Sequence, residues 1–472
     1  MKYISIFFGK IVAYLCTMVG RGSSFPGTFA AKIDRNILSK FVLPSRVIVV
    51  TGSSGKGSTT RIIANGFRDC GYTVAHNKEG GNQTSGVITT LLKNCSLSGK
   101  VKTDVVVLEM DERYIKYVLP VIKPSDVVIT NVTRDQPPRQ RHPDFIVSEI
   151  SKGLSDDMHL FLNADDPILQ KFVINKKNKV TYYGIDKLDF SYDKNLFNSL
   201  NCSRCIKCNS VLSYDYYHIE DIGSYKCSSK KCDFGRPKSK YVITGYNDKV
   251  ITINKKYNIT LNNDMLYNFY NTLAAFSVLG EYGLDKSKVC DSISSLNRDK
   301  KIYSHYMVKD REVFVLNNKC ENASTYNQSM LYTYNNKNKK TIIIGWEEIS
   351  RRYLCDELSW LYDIEFELFN KQDIDTFIVC GPQRYDIAVR LKYAGISEDK
   401  IKVHNNLYEA KEDISNSLGD IYGILNFDYN ITDYILVLQG IFGIWCFVSN
   451  DYRMHCFLCR ILNESKCFMF IL

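Results

Sequence analysis

From residue 46 to about 185, apolar and polar stretches alternate along the chain. Val47–Val50, Val105–Leu108, Val127–Thr130 and Leu160–Leu162 are short β-branched or aliphatic runs, each followed by a polar loop and a stretch with helical spacing. This pattern predicts a doubly wound parallel sheet whose ligand site lies at the carboxyl ends of the strands. A cysteine-rich window interrupts the alternation. Strand-like segments return at Tyr241–Thr244, Val250–Ile253 and Tyr257–Leu261, and a helix is predicted from about Leu266. A second α/β region is predicted from about Glu312, with strands at Val313–Leu316, Thr341–Ile344 and Thr376–Val379. The Lys- and Asp-rich stretch 298–310 is the expected linker. The apolar stretch Ile4–Val19 is broken by Lys10 and lacks a small-residue cleavage site, which predicts an amphipathic helix rather than a signal peptide. The longest apolar run, Tyr434–Val448, contains Gln439 and is too short for a membrane span.

Composition narrows the class. The 472 residues allow about three domains. Hydrophobic residues at 45% and charged residues at 24% are ordinary for a globular protein. The net charge of +10 is spread along the chain without a basic stripe interleaved with aromatics, so no nucleic-acid partner is expected. An anionic substrate or an anionic membrane surface accounts for the charge equally well. Of 16 cysteines, five fall within residues 202–232, and this clustering points to a metal site rather than a disulfide framework.

The first candidate chemistry is Thr51-Gly52-Ser53-Ser54-Gly55-Lys56-Gly57-Ser58-Thr59-Thr60, directly after an apolar strand and before an apolar-periodic helix. Backbone N–H groups of such a turn and the positive end of the helix cradle a polyphosphate. Lys56 is placed to reach the β/γ-phosphates, and a hydroxyl after it to hold Mg²⁺. The T-G-x-x-G-K-x-S-T form is the one found in Mur ligases and folylpolyglutamate synthases. Glu109, Asp111 and Glu112 leave the second strand beside this loop, where oxygen ligands suit a second grip on Mg²⁺. Thr130-Asn131 and Asn163-Ala164-Asp165-Asp166-Pro167 follow later strands and would converge on the same crevice, though such residues also serve plain turns. Cys205-x2-Cys208 and Cys227-x4-Cys232 have the paired spacing that a tetrahedral zinc takes from thiolates. Cys202 also makes a Cys-x2-Cys with Cys205, which leaves the register open. A closed four-thiolate site would be structural, not catalytic.

In this order, the pieces resemble the MurT family, the Mur-ligase-like subunits of lipid II isoglutaminyl synthases. The match runs through Asn77-Lys78-Glu79-Gly80-Gly81-Asn82, Leu108–Glu112, Arg134-Asp135-Gln136, Leu162–Pro167, Tyr182-Tyr183-Gly184, Tyr267–Asn271 and Ser359-Trp360-Leu361-Tyr362-Asp363. The resemblance implies an α/β fold: a Mur-ligase-type central ATPase domain with a parallel sheet and an inserted four-cysteine zinc ribbon, plus a smaller C-terminal α/β domain. It implies a division into an N-terminal helical segment (1–45), an ATP-binding domain (46–298, ribbon about 200–238), a C-terminal domain (299–440) and a divergent tail (441–472). The implied reaction is ATP-dependent amidation of the D-glutamate α-carboxylate of lipid II through an acyl phosphate. Ammonia would come from a GatD-like glutaminase partner, in the cytoplasm at the inner face of the membrane. The implied cofactors are ATP, Mg²⁺ and a structural Zn²⁺. By the same resemblance Ser58 and Glu109 would hold Mg²⁺. The loop residues Gly52–Thr59, with Asn131 and Asn268, would meet the nucleotide. Asp356 or Glu357 would complete the partner's catalytic Cys-His pair.

The chain departs from the family where Gly57 replaces a common threonine, which favours Ser58 as the Mg²⁺ hydroxyl. It departs again at Asn317-Asn318-Lys319-Cys320, where the family has Asn-Pro-Ala-Gly, and along Gly345–Cys355. Two other readings stand beside this one: an amino-acid-adding Mur or folylpolyglutamate-type ligase, and a nucleotide-binding scaffold without catalysis.

Overall fold

The computed structural model describes residues 1–18, 22–78, 80–134, 142–198, 200–296, 302–308, 310–319, 322–346 and 358–426. The chain opens with helices α1 (Lys2–Met18) and α2 (Phe25–Ile33). The alternating region then gives β1 (Arg46–Thr51), α3 (Lys56–Asp69), β2 (Val74–His76), α4 (Thr84–Asn94), β3 (Val105–Glu109), α5 (Ile115–Ile122), β4 (Asp126–Ile129), α6 (Pro143–Ser151), β5 (His159–Asn163) and β6 (Val180–Ile185). A hairpin of β7 (Leu212–Ile219) and β8 (Ile222–Cys227) follows. Then come β9 (Tyr241–Asn247), β10 (Val250–Ile253), β11 (Tyr257–Thr260), α7 (Leu266–Glu281) and α8 (Lys286–Ser295).

These strands form one nine-stranded sheet, ordered β11-β10-β9-β6-β5-β4-β1-β3-β2. It is parallel from β2 through β9, and β10 and β11 add antiparallel at one edge. Side chains of β1 point alternately to two cores, as the twofold strand period requires. Val47 and Val49 join α4, α5 and α6 on one face; Ile48 and Val50 join α3, α7 and α8 on the other. Both faces are thus covered, which is why the strands read as unbroken apolar runs. The register pairs Val50 with Glu109 and Thr51 with Ile129. The loops after β1, β3 and β4 therefore emerge side by side at the carboxyl ends of the central strands.

The second unit contains β12 (Tyr303–Val308), β13 (Arg311–Asn318), α9 (Ala323–Asn335), β14 (Lys340–Gly345), β15 (Ile374–Cys380), α10 (Arg384–Tyr393), β16 (Ile401–His404), α11 (Lys411–Asn416) and β17 (Asp420–Asn426). Its sheet order is β12-β13-β17-β14-β15-β16. Part of the stretch expected to be linker, 298–310, is instead the edge strand β12, paired antiparallel with β13. Its Ser304, His305 and Tyr306 read as polar linker because an edge strand needs only part of its surface in the core. The central strand β17 also escapes the pattern. Asp420, Gly423 and Asn426 dilute its apolar run, although most of its length is buried.

Candidate active site

The loop from β1 into α3 has the conformation its glycines permit. Gly52 (φ +131°) and Gly55 (φ +78°) both lie in left-handed space. A Cβ on Gly52 would stand 2.3 Å from the Thr130 hydroxyl, and one on Gly55 would stand 2.3 Å from Asn271 Oδ1. Only glycine fits where the backbone is approached this closely. Asn131 braces the loop. Its Oδ1 accepts from the Ser54 amide at 3.0 Å, its Nδ2 donates to the Ser54 carbonyl at 3.1 Å, and its backbone carbonyl accepts from the Ser53 amide at 3.0 Å. Ser53 is fully buried, its hydroxyl donating to the Thr133 carbonyl at 3.2 Å.

Lys56 opens α3 and is nearly buried. Its ammonium turns back over the loop to the Gly52 carbonyl and donates to Glu112 at 2.8 Å. Lys319, 266 residues away, donates to the Ser53 carbonyl at 2.8 Å. Burial alone would push the Glu112 carboxyl up, but Lys56 and Lys319 outweigh it and hold the group below the ordinary carboxylate range. Two cations therefore converge on the loop, with one buried carboxylate between them.

Glu109 faces the first turn of α3, where a Cβ on Gly57 would lie 3.1 Å from Glu109 Oε2. Asn82 donates to its other oxygen at 3.3 Å, and Asn77 bonds the Glu109 backbone amide and carbonyl at 2.8 Å each. Gly57 is exposed and Ser58 half-buried beside it. A carboxylate and a hydroxyl at one helix start are hard oxygen donors of the kind Mg²⁺ takes together with substrate phosphates.

On α7, Asn268 and Asn271 have different surroundings. Asn268 spends its amide on the Asn263 carbonyl at 3.0 Å. Asn271 meets the phosphate loop, its Oδ1 accepting from the Thr59 hydroxyl at 3.3 Å. Asn271 and Lys319 lie in segments noted from the sequence but carry no expected role there, while Glu112, expected among the carboxylates beside the loop, is paired with Lys56.

The second unit closes over the loop. Besides Lys319, Asn322 donates to the Thr133 hydroxyl at 3.3 Å. Arg134 donates to Asp363 at 2.6 Å and to the Ser359 hydroxyl at 3.0 Å, tying the loop after β4 to the Ser359–Asp363 turn. Burial raises the Asp363 carboxyl, and Arg134 opposes that rise. Trp360 packs under this turn against Tyr326 and Trp346. Asp356 and Glu357, and also Asp135, Gln136, Glu79 and Cys320, lie outside the described residues.

The cysteine window forms its own small body. The sulfurs of Cys205, Cys208, Cys227 and Cys232 all lie within 4.8 Å of one another. Cys205 and Cys232 are 3.6 Å apart, and Cys208 and Cys227 are 3.4 Å apart. A tetrahedron with metal–sulfur bonds of about 2.3 Å has edges of about 3.8 Å, so the four thiols fit a zinc ion. The amides of Lys207 and Ser229 point at the sulfurs of Cys205 and Cys227, each at 3.4 Å, which suits thiolates. Cys202 stands apart, buried among the residues of the main core, where burial and Asp221 push its thiol up to about 12. The register therefore pairs Cys205 with Cys208, not with Cys202. Fully buried Asp165 fastens the window to the sheet, accepting from Arg236 at 2.6 Å, the Ile185 amide at 2.7 Å and the Tyr270 hydroxyl at 2.9 Å.

Comparison with known proteins agrees with this architecture. The Mur ligase middle domain family matches residues 50–279, and the MurT ligase C-terminal family matches residues 320–427. Among curated relatives, the lipid II isoglutaminyl synthase (glutamine-hydrolyzing) subunit MurT of Staphylococcus aureus (strain COL) is 30% identical over 417 residues, covering 87% of this chain and 91% of that one. The subunit of the same name from Streptococcus pneumoniae (strain ATCC BAA-255 / R6) is 26% identical over 418 residues, covering 86% and 90%. Among solved structures, a pseudomurein peptide ligase type C from Methanothermus fervidus superposes with a TM-score of 0.64 at 17% identity, covering 86% of this chain and 81% of that one. The MurF ligase from Thermotoga maritima in complex with ADP gives 0.56 at 17% identity, covering 88% and 83%. These two likenesses show the fold.

Proposed function

Because this chain belongs to the MurT family of ATP-dependent Mur-type ligases, we propose that it amidates the D-glutamate α-carboxylate of lipid II with ammonia from a GatD-like glutaminase partner. The observation that carries the reading is the convergence of Lys56 and Lys319, from two different units, on one glycine-rich loop.

A carboxylate lacks a leaving group, and phosphorylation supplies one. A carboxylate oxygen of the substrate bonds to the γ-phosphorus of ATP, and the bond to the β,γ-bridging oxygen breaks to release ADP. Ammonia then bonds to the acyl carbon, phosphate leaves with its bonding electrons, and the nitrogen loses a proton. The loop amides bind the phosphates. Lys56 and Lys319 offset the negative charge that gathers on the transferred group, and the buried site strengthens that interaction. Ser58 and Glu109 would hold Mg²⁺, which supplies further charge neutralisation. Asn131 keeps the loop in its receiving shape. In this reading residues 46–298 supply the ATP site. Residues 299–440 present the acceptor side, with Asp356 or Glu357 turned to the glutaminase. The cysteine ribbon holds a structural zinc.

Oxygen labelling tests the chemistry. With both α-carboxylate oxygens of the D-glutamate carrying ¹⁸O, the purified chain with glutaminase, glutamine and ATP is expected to give amidated product and phosphate bearing one labelled oxygen. Amide formed with unlabelled phosphate would rule out the acyl phosphate. Incorporation of an amino acid instead of ammonia would move the chain to the amino-acid-adding ligases.

A further inference from the structure

Helix α1 carries two apolar faces, and among the described residues only one has a partner. Ser5, Ile6, Gly9 and Ala13 are buried against α2 and α4. The approach is close: a Cβ on Gly9 would stand 2.9 Å from the Leu92 side chain and 3.1 Å from Ala30. Lys10 pins the same side by donating to the Leu92 and Cys95 carbonyls at 2.8 Å each. On the opposite side Ile4, Phe7, Phe8, Ile11, Leu15 and Met18 are 40–70% exposed. At about 100° per residue these six fall within an arc of about 100°, a continuous stripe along the helix. Tyr3 and Tyr14 border it, exposed at 68% each.

We propose that this outer stripe of α1 docks the protein onto an anionic lipid bilayer. Charge selects the occupant. Helix α1 contains no carboxylate, and its charged residues are Lys2 and Lys10. The turn that abuts its start adds exposed Lys100, with Lys102 just beyond. A Cβ on Gly99 in that turn would lie 3.0 Å from Lys2 Cε, and exposed Leu97 continues the apolar surface. Asp34, an acid that feels the charge at the start of this helix, is already taken by Lys40 at 2.5 Å. An apolar, aromatic-bearing stripe with a cationic border is the composition of a helix that lies in the plane of a membrane surface. Because α1 is fixed along its length to α2 and α4, its stripe can sink only to the depth of the exposed side chains. No helix among the described residues is long and apolar enough to cross a membrane.

The inference stands independently of the proposed reaction, and its test uses vesicles without any substrate. The full chain is expected to co-sediment with phosphatidylglycerol-containing vesicles and to do so weakly with pure phosphatidylcholine. Phe7→Ser with Phe8→Ser should lower the partition coefficient at least about tenfold, and Lys100→Glu with Lys102→Glu should lower it on anionic vesicles only. Tyr385→Ser with Val389→Ser, on the exposed face of α10, should leave it unchanged. Thermal unfolding and ATP binding confirm that each variant is folded. Absence of wild-type binding to anionic vesicles would overturn the proposal, as would equal binding by the α1 variant. So would a chain that sediments as a dimer, becomes monomeric in the α1 variant, and ignores vesicles; the stripe would then be a contact between copies.

Discussion

At the scale of single residues, the site turns on the charge balance around Glu112. Its carboxylate is 2% exposed and lies under the influence of Lys56 and Lys319. Removing one partner of a buried ion pair leaves an uncompensated charge, at a cost of about 3 kcal/mol or more. Glu112→Ala should therefore lower the unfolding temperature. ATP, whose phosphates would replace the lost carboxylate, should raise that temperature more in the variant than in the parent chain. Calorimetry with and without nucleotide reads both effects; equal ATP stabilisation of the two proteins would detach Glu112 from the phosphate site. Lys56 was legible in the sequence because glycines, lysine and hydroxyls sit together in one local motif. Lys319 and Asn271 were not, because what makes them part of the site is a contact across more than 200 residues. Lys319 even lies within a segment that reads as an eroded motif.

At the scale of elements, the β7–β8 hairpin joins the four-cysteine cluster to a domain contact. One end holds the four cysteines. The other, the Glu220-Asp221 turn, meets α9, where Asn327 and Ser324 donate to Glu220 at 2.7 and 3.1 Å. Metal analysis should find about one zinc per chain, lost when Cys205 and Cys227 become serine; an undiminished zinc content would place the ion elsewhere. Burial, together with Asp221 and Asp363 and against the Asn327 and Ser324 bonds, raises the Glu220 carboxyl from 4.5 to about 7. The folded chain then keeps a proton that the unfolded chain has released between these values. Stability from this group is present below about pH 4.5 and is lost as pH rises to about 7, on the order of 3 kcal/mol in all. Asp166 and Asp221, also raised by burial, add to the slope. Glu220→Gln should flatten part of it in denaturant titrations from pH 5 to 8; an unchanged slope would mean that Glu220 is ionised throughout. The knuckle spacing made the cysteines legible, and apolar runs made most strands so. The tip contact was not legible, since an acidic pair in a turn reads as solvated until a helix from another unit covers it.

At the scale of the whole molecule, the two sheets meet on the phosphate loop through a few polar contacts, of which Arg134 with Asp363 and Ser359 reaches the Ser359–Asp363 turn. Arg134 and Asp363 are partly exposed, their side chains 37% and 24% accessible. In solvent such a pair contributes only about 0–1 kcal/mol to stability. Its effect should instead fall on how often the second unit sits closed over bound ATP, because phosphoryl transfer depends on positioning. Arg134→Met is expected to leave the unfolding temperature within about 2 °C of the parent while lowering kcat for amidation about tenfold. ATP affinity should change little, since Lys56 and the loop are intact. Asp363→Asn should be milder, because the Ser359 contact to Arg134 survives and an amide oxygen still accepts. Small-angle scattering with nucleotide should show a larger radius of gyration for Arg134→Met than for the parent. If kcat falls while the radius stays the same, Arg134 acts on the reacting groups directly; if neither changes, closure rests on the other contacts between the units, among them Lys319, Asn322 and the Glu220 tip.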